Sequence, residues 1–220
     1  MIDRRTFTGA LFVLGTGGLL GCSKTGTNEV TADLASSRNT DRAPTIGELA
    51  TEGPLGDRFL GRANAPVTVY EYVSLTCPYS RKFHVETYPR FKTDFIDTGK
   101  VRFVVREFPI GRSAAAAAVI TRAAPKDQYF VLHEKFLLQQ KKWTSQKVRP
   151  DAIFEIASQA GLSRQAFDNA LNDQAINDGL IWVKQRGREL GVTGTPTFFA
   201  NGQKRRGAVS YDEMLKVISI

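Results

Sequence analysis

The sequence predicts an α/β domain with a mixed β-sheet and a block of helices inserted between the two parts of the sheet. Two stretches rich in β-branched residues, 67–73 and 101–108, are separated by a stretch whose aromatic residues have helical spacing. Helical patterns then fill residues 113–190, and a hairpin pattern followed by one helix ends the chain. The order βαβ, helices, ββα is typical of an α/β fold.

Length and composition are those of an ordinary globular protein. The 220 residues are 42% hydrophobic and 24% charged, which suggests one compact domain with tails and excludes a collagen-like, coiled-coil or mostly disordered chain. The two cysteines, Cys22 and Cys77, exclude a disulfide-stapled mini-protein and a four-cysteine zinc site. His84 and His133 are far apart in sequence, so we expect structural roles for both and no metal site.

The first strand runs directly into the start of a helix. Residues 67–73 read VTVYEYV, which suits a buried strand. Proline is favoured at the first position of a helix, so Pro78 predicts that a helix begins there and that Cys77 is its N-cap. Pro89 lies inside the helical run and should kink or divide it. Residues 101–108 form the next predicted strand.

The second half of the chain combines helices with a terminal hairpin. The predicted helical insertion covers residues 112–191 and ends at Gly191. Asn201-Gly202 between two strand patterns predicts a tight β-turn. Ser210 and Glu213 have the spacing of a capping box, so the last helix should begin after Ser210.

Residues 1–21 have the pattern of an export signal of the lipoprotein type. Arg4 and Arg5 precede an apolar run at 7–20, which is short and rich in glycine for a membrane span. Asp3-Arg4-Arg5-Thr6-Phe7 resembles a twin-arginine motif, and Leu19-Leu20-Gly21-Cys22 resembles a bacterial lipobox. We therefore expect lipidation at Cys22; a plain signal peptide with a chance cysteine and an uncleaved anchor are the alternatives.

Residues 22–54 are expected to be a flexible tether. They are rich in Thr, Ser, Asn, Asp and Gly and have no apolar periodicity. Ile46 and Leu49 are the apolar residues that could form a short contact. The folded domain is predicted to cover residues 55–220, held at the periplasmic or cell-envelope side of a membrane by the lipid.

Cys77 is the candidate nucleophile. A cysteine at a helix N-terminus lies close to backbone N–H groups and to the positive end of the helix dipole, and both favour the thiolate over the thiol. The alternative is an inert buried cysteine that behaves as a small apolar residue. The strand–Cys–Pro–helix context favours the reactive interpretation.

Several motifs together resemble the DsbA-like thiol–disulfide oxidoreductases, which have a thioredoxin fold. Cys77-Pro78-Tyr79-Ser80 after a strand resembles their active-site turn, and three further segments match patterns in that family: residues 63–72, 106–109 and 191–203. The resemblance covers residue 55 to the C-terminus. It implies a thioredoxin-like mixed sheet with an inserted helical domain.

The resemblance also implies roles for individual residues. Thr195-Pro196 corresponds to the cis-proline loop that faces the active cysteine, where exposed backbone could pair with an extended substrate. Pro78 and Tyr79 would contact the substrate beside that loop. Glu71, six residues before Cys77, matches a buried acid that assists proton movement.

Ser80 departs from the family's C-x-x-C motif. A dithiol oxidant stores its oxidising power as a disulfide between two cysteines, and this chain cannot form that bond. What remains is attack by Cys77 on a substrate disulfide, followed by resolution by an external thiol such as glutathione; no bound cofactor is expected. We expect the Ser80 hydroxyl to donate a hydrogen bond to the thiolate.

The net charge of +8 and the isoelectric point near 9.6 accompany no nucleic-acid motif. An anchored, exported protein of this charge would be attracted to anionic lipid or cell-wall polymers, or the charge would simply support solubility. The expected partners are exported cysteine-containing proteins, a thiol that resolves mixed disulfides, and the membrane through Cys22. No nucleic-acid partner is expected.

Three functions fit these residues. The first is an envelope-located monothiol exchange protein that acts as an isomerase or reductase. The second is a redox-inactive thioredoxin-fold module that binds substrates without turnover. The third is a glutathione-dependent isomerase or transferase, against which the cysteine at position 77 and the export signal argue.

Overall fold

The computed structural model describes residues 43–218. The strands are β1 (Arg58–Leu60), β2 (Val67–Val73), β3 (Val101–Glu107), β4 (Thr197–Ala200) and β5 (Gln203–Arg206). The helices are α1 (Ile46–Ala50), α2 (Pro78–Glu86), α3 (Tyr88–Phe91), which continues into a π-helical turn (Lys92–Ile96), α4 (Arg112–Ala123), α5 (Tyr129–Leu138), α6 (Gln140–Trp143), α7 (Pro150–Ser158), α8 (Arg164–Leu171), α9 (Gln174–Glu189) and α10 (Tyr211–Ile218). The predicted export signal and the lipidation site Cys22 lie outside the described residues.

In the described part of the chain the strands form one mixed sheet in the order β1-β3-β2-β4-β5. β2 and β3 are parallel, and the other neighbouring pairs are antiparallel. The mixed α/β sheet predicted from the sequence is confirmed. Strand β1 was not predicted, because its three residues, none of them buried, lie at the edge of the sheet and show no alternation long enough to be recognised.

β2 is the central strand and is buried on both faces. On one face Val69 packs with Phe83 and Phe91 of the helices that follow the strand. On the other face Tyr72 packs with Val183 of α9. Burial on both faces explains why this segment is almost continuously apolar, and it makes any charged residue within it exceptional.

The chain packs onto the sheet earlier than the composition indicated. The tether was expected to reach residue 54, but Thr45 and Glu48 form a capping box that begins α1. Leu49 is 3% exposed and packs in the cluster that contains Tyr70 and Tyr72. The packed structure therefore begins at about Thr45, because the buried Leu49 and the hydrogen bond from Arg186 to the Glu48 carbonyl hold this short helix.

The helices from α4 to α9 form the insertion between β3 and β4, within the predicted range of 112–191. They enclose a core of their own, with Phe136, Trp143 and Phe167 fully buried. No helix within residues 43–218 combines the length and the apolar composition needed to cross a membrane.

The predicted breaks and turns are present. α2 ends at Glu86, and α3 begins at Tyr88 with Pro89 in its first turn, so the helical run is divided where the proline required it. Asn201 and Gly202 both have positive φ, 48° and 72°, as a tight hairpin turn between β4 and β5 demands. The Ser210–Glu213 capping box is formed before α10.

Candidate active site

Cys77 is the N-cap of α2, as predicted. Its backbone is extended, with φ −77° and ψ 123°, and its carbonyl accepts from the Arg81 amide at 3.1 Å. Gln140 Nε2 donates to the Cys77 carbonyl at 2.9 Å and to the Leu75 carbonyl at 2.8 Å. The buried Gln140 side chain of the insertion thereby fixes the turn that presents the sulfur.

The Cys77 sulfur faces the loop before β4 rather than its own helix. Sγ donates to the Thr195 carbonyl at 3.1 Å, across 118 positions of sequence. The Thr195–Pro196 peptide bond is cis, and both residues are buried. The structure therefore brings together Cys77 and the Thr195-Pro196 loop, which the family resemblance had placed opposite each other.

Pro78 and Tyr79 are exposed beside the half-buried sulfur. Tyr79 has 62% of its surface accessible, although it is a large aromatic residue. Pro78 occupies the first helical position and has no backbone N–H to satisfy. These two side chains form the accessible surface at the N-terminus of α2.

Ser80 does not make the expected bond to the thiol. It is fully buried, and its Oγ has no hydrogen-bond partner among the described residues. Ser80 faces the interior from the first turn of α2, whereas the Cys77 sulfur is directed to the Thr195 carbonyl. The expectation of a Ser80–Cys77 hydrogen bond is wrong for this structure, because the thiol has a different acceptor.

Glu71 is fully buried in the middle of β2 and is paired with His84 of α2. His84 Nε2 lies 2.9 Å from Oε2 and 3.1 Å from Oε1 of Glu71. From the sequence, only a structural role was expected for His84. Its pairing with Glu71 was not predicted, because the one sequence signal was the position of His84 on the face of α2 that covers β2.

A second buried acid, Glu107, lies at the end of the neighbouring strand β3. Arg122 donates to both of its carboxylate oxygens, at 2.5 and 2.6 Å, and the Tyr129 hydroxyl donates at 2.7 Å. Burial, together with the nearby Glu107 charge, raises the pKa of Tyr129 well above its ordinary value, so the hydroxyl remains a donor. Each carboxylate oxygen of Glu107 therefore has at least one hydrogen-bond donor.

His133 of α5 lies against His84, with ring centroids 5.4 Å apart. Neither ring nitrogen of His133 has a hydrogen-bond partner among the described residues. Burial, and then the nearby His84 and Arg122, lowers the pKa of His133 well below its ordinary value, so the ring is neutral at physiological pH. No cluster of three or more metal-ligating side chains occurs within residues 43–218.

This arrangement is suited to nucleophilic sulfur chemistry. The half-buried sulfur lies at the N-terminus of a nine-residue helix, where the helix dipole favours negative charge. The buried Glu71 carboxylate lies below this helix and contacts the His84 imidazole of the same helix, and both groups can accept and donate protons. Backbone of the Thr195-Pro196 loop faces the sulfur from the other side.

Comparisons with known proteins agree with this geometry. A family model described as thioredoxin matches residues 55–219. A Rickettsia conorii protein assigned as a protein-disulfide oxidoreductase is 33% identical over 66% of this chain, and the alignment covers 53% of that protein. Disulfide bond formation protein D of Bacillus subtilis is 26% identical over 74% of this chain and 76% of its own length. The chain thus spans about half the length of the Rickettsia relative.

The solved structure of alpha-DsbA1 from Wolbachia pipientis superposes with a TM-score of 0.71 and 28% identity. The superposition covers 80% of this chain and 94% of the Wolbachia chain, so it includes both the sheet and the inserted helices. Together with the match to the thioredoxin model, this agreement shows that the chain belongs to the thioredoxin family, with the DsbA-like form of its fold.

Proposed function

We propose that this protein is a thiol–disulfide oxidoreductase of the cell envelope that works through one reactive cysteine. The observation that carries the proposal is the position of Cys77: its sulfur caps no amide of α2 and lies 3.1 Å from the Thr195 carbonyl in a loop that can receive a substrate. Cys77 is the single cysteine within residues 43–218. The names of the Rickettsia and Bacillus relatives support the same chemistry.

The reaction begins with the Cys77 thiolate. It attacks one sulfur of a substrate disulfide, so that the substrate S–S bond breaks, a Cys77–substrate disulfide forms, and the second substrate sulfur leaves as a thiolate. If another substrate thiolate then attacks the mixed disulfide, Cys77 is released and the substrate disulfide is rearranged without net oxidation or reduction. If two external thiols such as glutathione act in succession, the substrate is reduced and the external thiol becomes a disulfide.

Glu71 is the proposed acceptor of the thiol proton. It is the one acidic residue of the buried strand β2, and it lies below α2 in contact with His84. A carboxylate in hydrogen-bond contact with an imidazole can accept a proton and pass it on. The proton returns to the departing thiolate in the resolving step.

The substrate surface is proposed to consist of Pro78, Tyr79 and the backbone of Thr195 and Pro196. The exposed Tyr79 offers an apolar ring beside the sulfur. An extended substrate would pair with the loop backbone once the Cys77 thiol has lost its proton and no longer donates to the Thr195 carbonyl. Recognition by backbone suits a protein that accepts many exported cysteine-containing substrates.

Anchoring completes the proposal. The export pattern of residues 1–21 and the lipobox-like segment that ends at Cys22 support delivery to the envelope and attachment by lipid. About twenty residues separate Cys22 from the capping box at Thr45, which is enough chain to hold the domain away from a membrane surface.

Alkylation and trapping test the proposal. Cys77 in the full chain should react with iodoacetamide about tenfold faster than free glutathione at neutral pH. DTT-sensitive adducts should form at Cys77 with disulfide-containing proteins, and Cys77→Ser, in which Cys22 is the remaining cysteine, should lose these adducts. The substrate-binding module without turnover predicts instead that partners bind equally well to Cys77→Ser. Alkylation at the rate of glutathione, together with an absence of adducts, would contradict the exchange function.

A further inference from the structure

Two buried histidines, His84 of α2 and His133 of α5, take no part in the exchange steps described above. Among the described residues, Nδ1 of His84 and both ring nitrogens of His133 are buried without a hydrogen-bond partner. Buried polar atoms in native proteins are nearly always paired, so three such nitrogens within two adjacent rings require an explanation.

The two rings extend from the buried acid towards the surface. His84 Nε2 contacts Glu71, and the opposite nitrogen Nδ1 is the unpaired one. The His133 ring lies next, 5.4 Å from the His84 ring between centroids. Glu71, His84 and His133 therefore form a continuous row of proton-binding groups on β2, α2 and α5.

The row ends in a cavity of about 190 Å³. His84 and His133 line it, together with Tyr88, Lys92 and Glu134. The volume is large enough for several water molecules. Glu134 and its neighbour Val131, which also lines the cavity, are exposed, so the cavity opens at the protein surface.

We propose that His84 and His133 are positioning residues that move a proton between Glu71 and the solvent in this cavity, an inference that rests on the proposed exchange function. Neither Tyr79 nor the Thr195-Pro196 loop lines this cavity, so the route reaches solvent apart from the proposed substrate surface. It would let Glu71 exchange protons while a bound substrate covers the sulfur.

The proton steps balance without any change of oxidation state. The Cys77 thiol gives its proton to the Glu71 carboxylate and keeps the electron pair as a thiolate. Glu71 passes a proton to Nε2 of His84, which in this step is the Nδ1–H tautomer, and His84 releases the Nδ1 proton to water in the cavity that both rings line, from which a ring nitrogen of His133 accepts it. His133 passes it to solvent in the cavity, and the resolving step runs the sequence in reverse.

The charged surroundings suit a group that holds a proton only briefly. The groups that face the two rings are Glu71 from β2, Tyr88 from α3, Lys92 from the π-helical turn, Tyr129 and Glu134 from α5, and Arg122 from α4. Burial keeps the pKa of His133 low, with His84 and Arg122 acting in the same direction. A neutral ring has a bare nitrogen that can accept a proton and then release it quickly.

The test measures the rate at which Cys77 of the full chain reacts with glutathione disulfide, as a function of pH. His84→Gln keeps a donor for Glu71 but cannot pass a proton across a ring, and His133→Ala removes the second ring. Each change should slow the exchange about tenfold at neutral pH. Tyr88→Phe is the matched control: it keeps the aromatic ring that lies against His84, removes only the hydroxyl from the same cavity, and should react as the wild type does.

Added imidazole distinguishes a proton carrier from a structural residue. It should enter the enlarged cavity of His133→Ala and restore the rate in a saturable manner, with no effect on Tyr88→Phe. His133→Gln is closer to histidine in volume and should also react slowly. It serves as the second test if the alanine variant does not fold. The relay would be overturned if His84→Gln and both His133 variants reacted at the wild-type rate. It would also be overturned if His133→Ala were slow and imidazole did not restore its rate. A wild-type Cys77 no faster than glutathione would instead refute the exchange function itself.

Discussion

Glu71 and Glu107 are buried carboxylates on two neighbouring parallel strands, yet their surroundings differ sharply. Glu107 accepts two hydrogen bonds from Arg122 and one from the Tyr129 hydroxyl. Glu71 has only the His84 imidazole, and next to it lie ring nitrogens without partners in the described part of the chain. The β2–β3 register places them two positions apart, with Glu71 opposite Val105 and Glu107 opposite Val73.

The difference separates a structural ion pair from a site that can exchange protons. A carboxylate with a guanidinium on both oxygens is fixed as an anion, because protonation would break two charge-assisted bonds. A carboxylate that shares a single imidazole can gain or lose a proton at lower cost. Changes at Glu107 should therefore affect stability, and changes at Glu71 should affect the chemistry of Cys77.

The largest effect on stability is expected at Arg122. Arg122→Met leaves the buried Glu107 charge without its main partner, which should lower the free energy of unfolding by about 3–5 kcal/mol. Chemical denaturation measures this change. The double variant Glu107→Gln with Arg122→Met should recover part of the loss, since no unpaired charge remains. If Arg122→Met were as stable as the wild type, the Glu107–Arg122 pair would have no structural role.

The opposite pattern is expected at Glu71. Glu71→Gln keeps the shape and a carbonyl acceptor for His84 but cannot take a proton, so the exchange rate of Cys77 should fall about tenfold or more. The free energy of unfolding should change by less than about 1 kcal/mol, because no buried charge is left unpaired. The rate with glutathione disulfide and the denaturation midpoint measure the two quantities. A large loss of stability with an unchanged rate would assign Glu71 to structure.

His133 should make stability depend on pH. Its pKa is depressed in the folded state, so below about pH 6.5 the unfolded chain binds a proton that the folded chain does not. The contribution of His133 is complete above that pH and is lost as the pH falls, by up to about 1.4 kcal/mol per pH unit. His133→Gln should flatten this part of the pH profile of unfolding. An equal slope in both proteins would show that His133 is not the responsible group.

The smallest effect is expected at Ser80. Its buried hydroxyl has no partner within residues 43–218, and an unpaired buried hydroxyl costs free energy. Ser80→Ala should therefore raise the free energy of unfolding by up to about 1 kcal/mol and leave the alkylation rate of Cys77 unchanged. Slower alkylation of the alanine variant would mean that the hydroxyl contacts the thiolate in solution.

The local features of the site could be read from the sequence. Pro78 fixes the first turn of α2 and thereby places Cys77 at its N-cap, and the Asn201-Gly202 pair determines the β4–β5 turn. These predictions succeeded because each depends on the backbone preferences of one or two adjacent residues.

The features that the sequence did not reveal depend on distant contacts. The Glu71–His84 pair joins a strand to a helix, and its two residues carry no motif that links them. The Cys77–Thr195 contact was found only through the family resemblance, since 118 positions separate the two residues. Strand β1 exists because β3 offers it an edge to pair with, and its own three residues contain too little pattern to predict it.

The central claim is that Cys77 alone performs the exchange, and its most direct test is the dependence of turnover on an external thiol. The full chain is mixed with a disulfide-bonded test protein, with and without reduced glutathione, and the products are identified by mass spectrometry. We predict a mixed disulfide at Cys77 that forms with or without glutathione, and net reduction of the test protein only when glutathione is added. The absence of any Cys77 adduct, with no turnover under either condition, would contradict the claim.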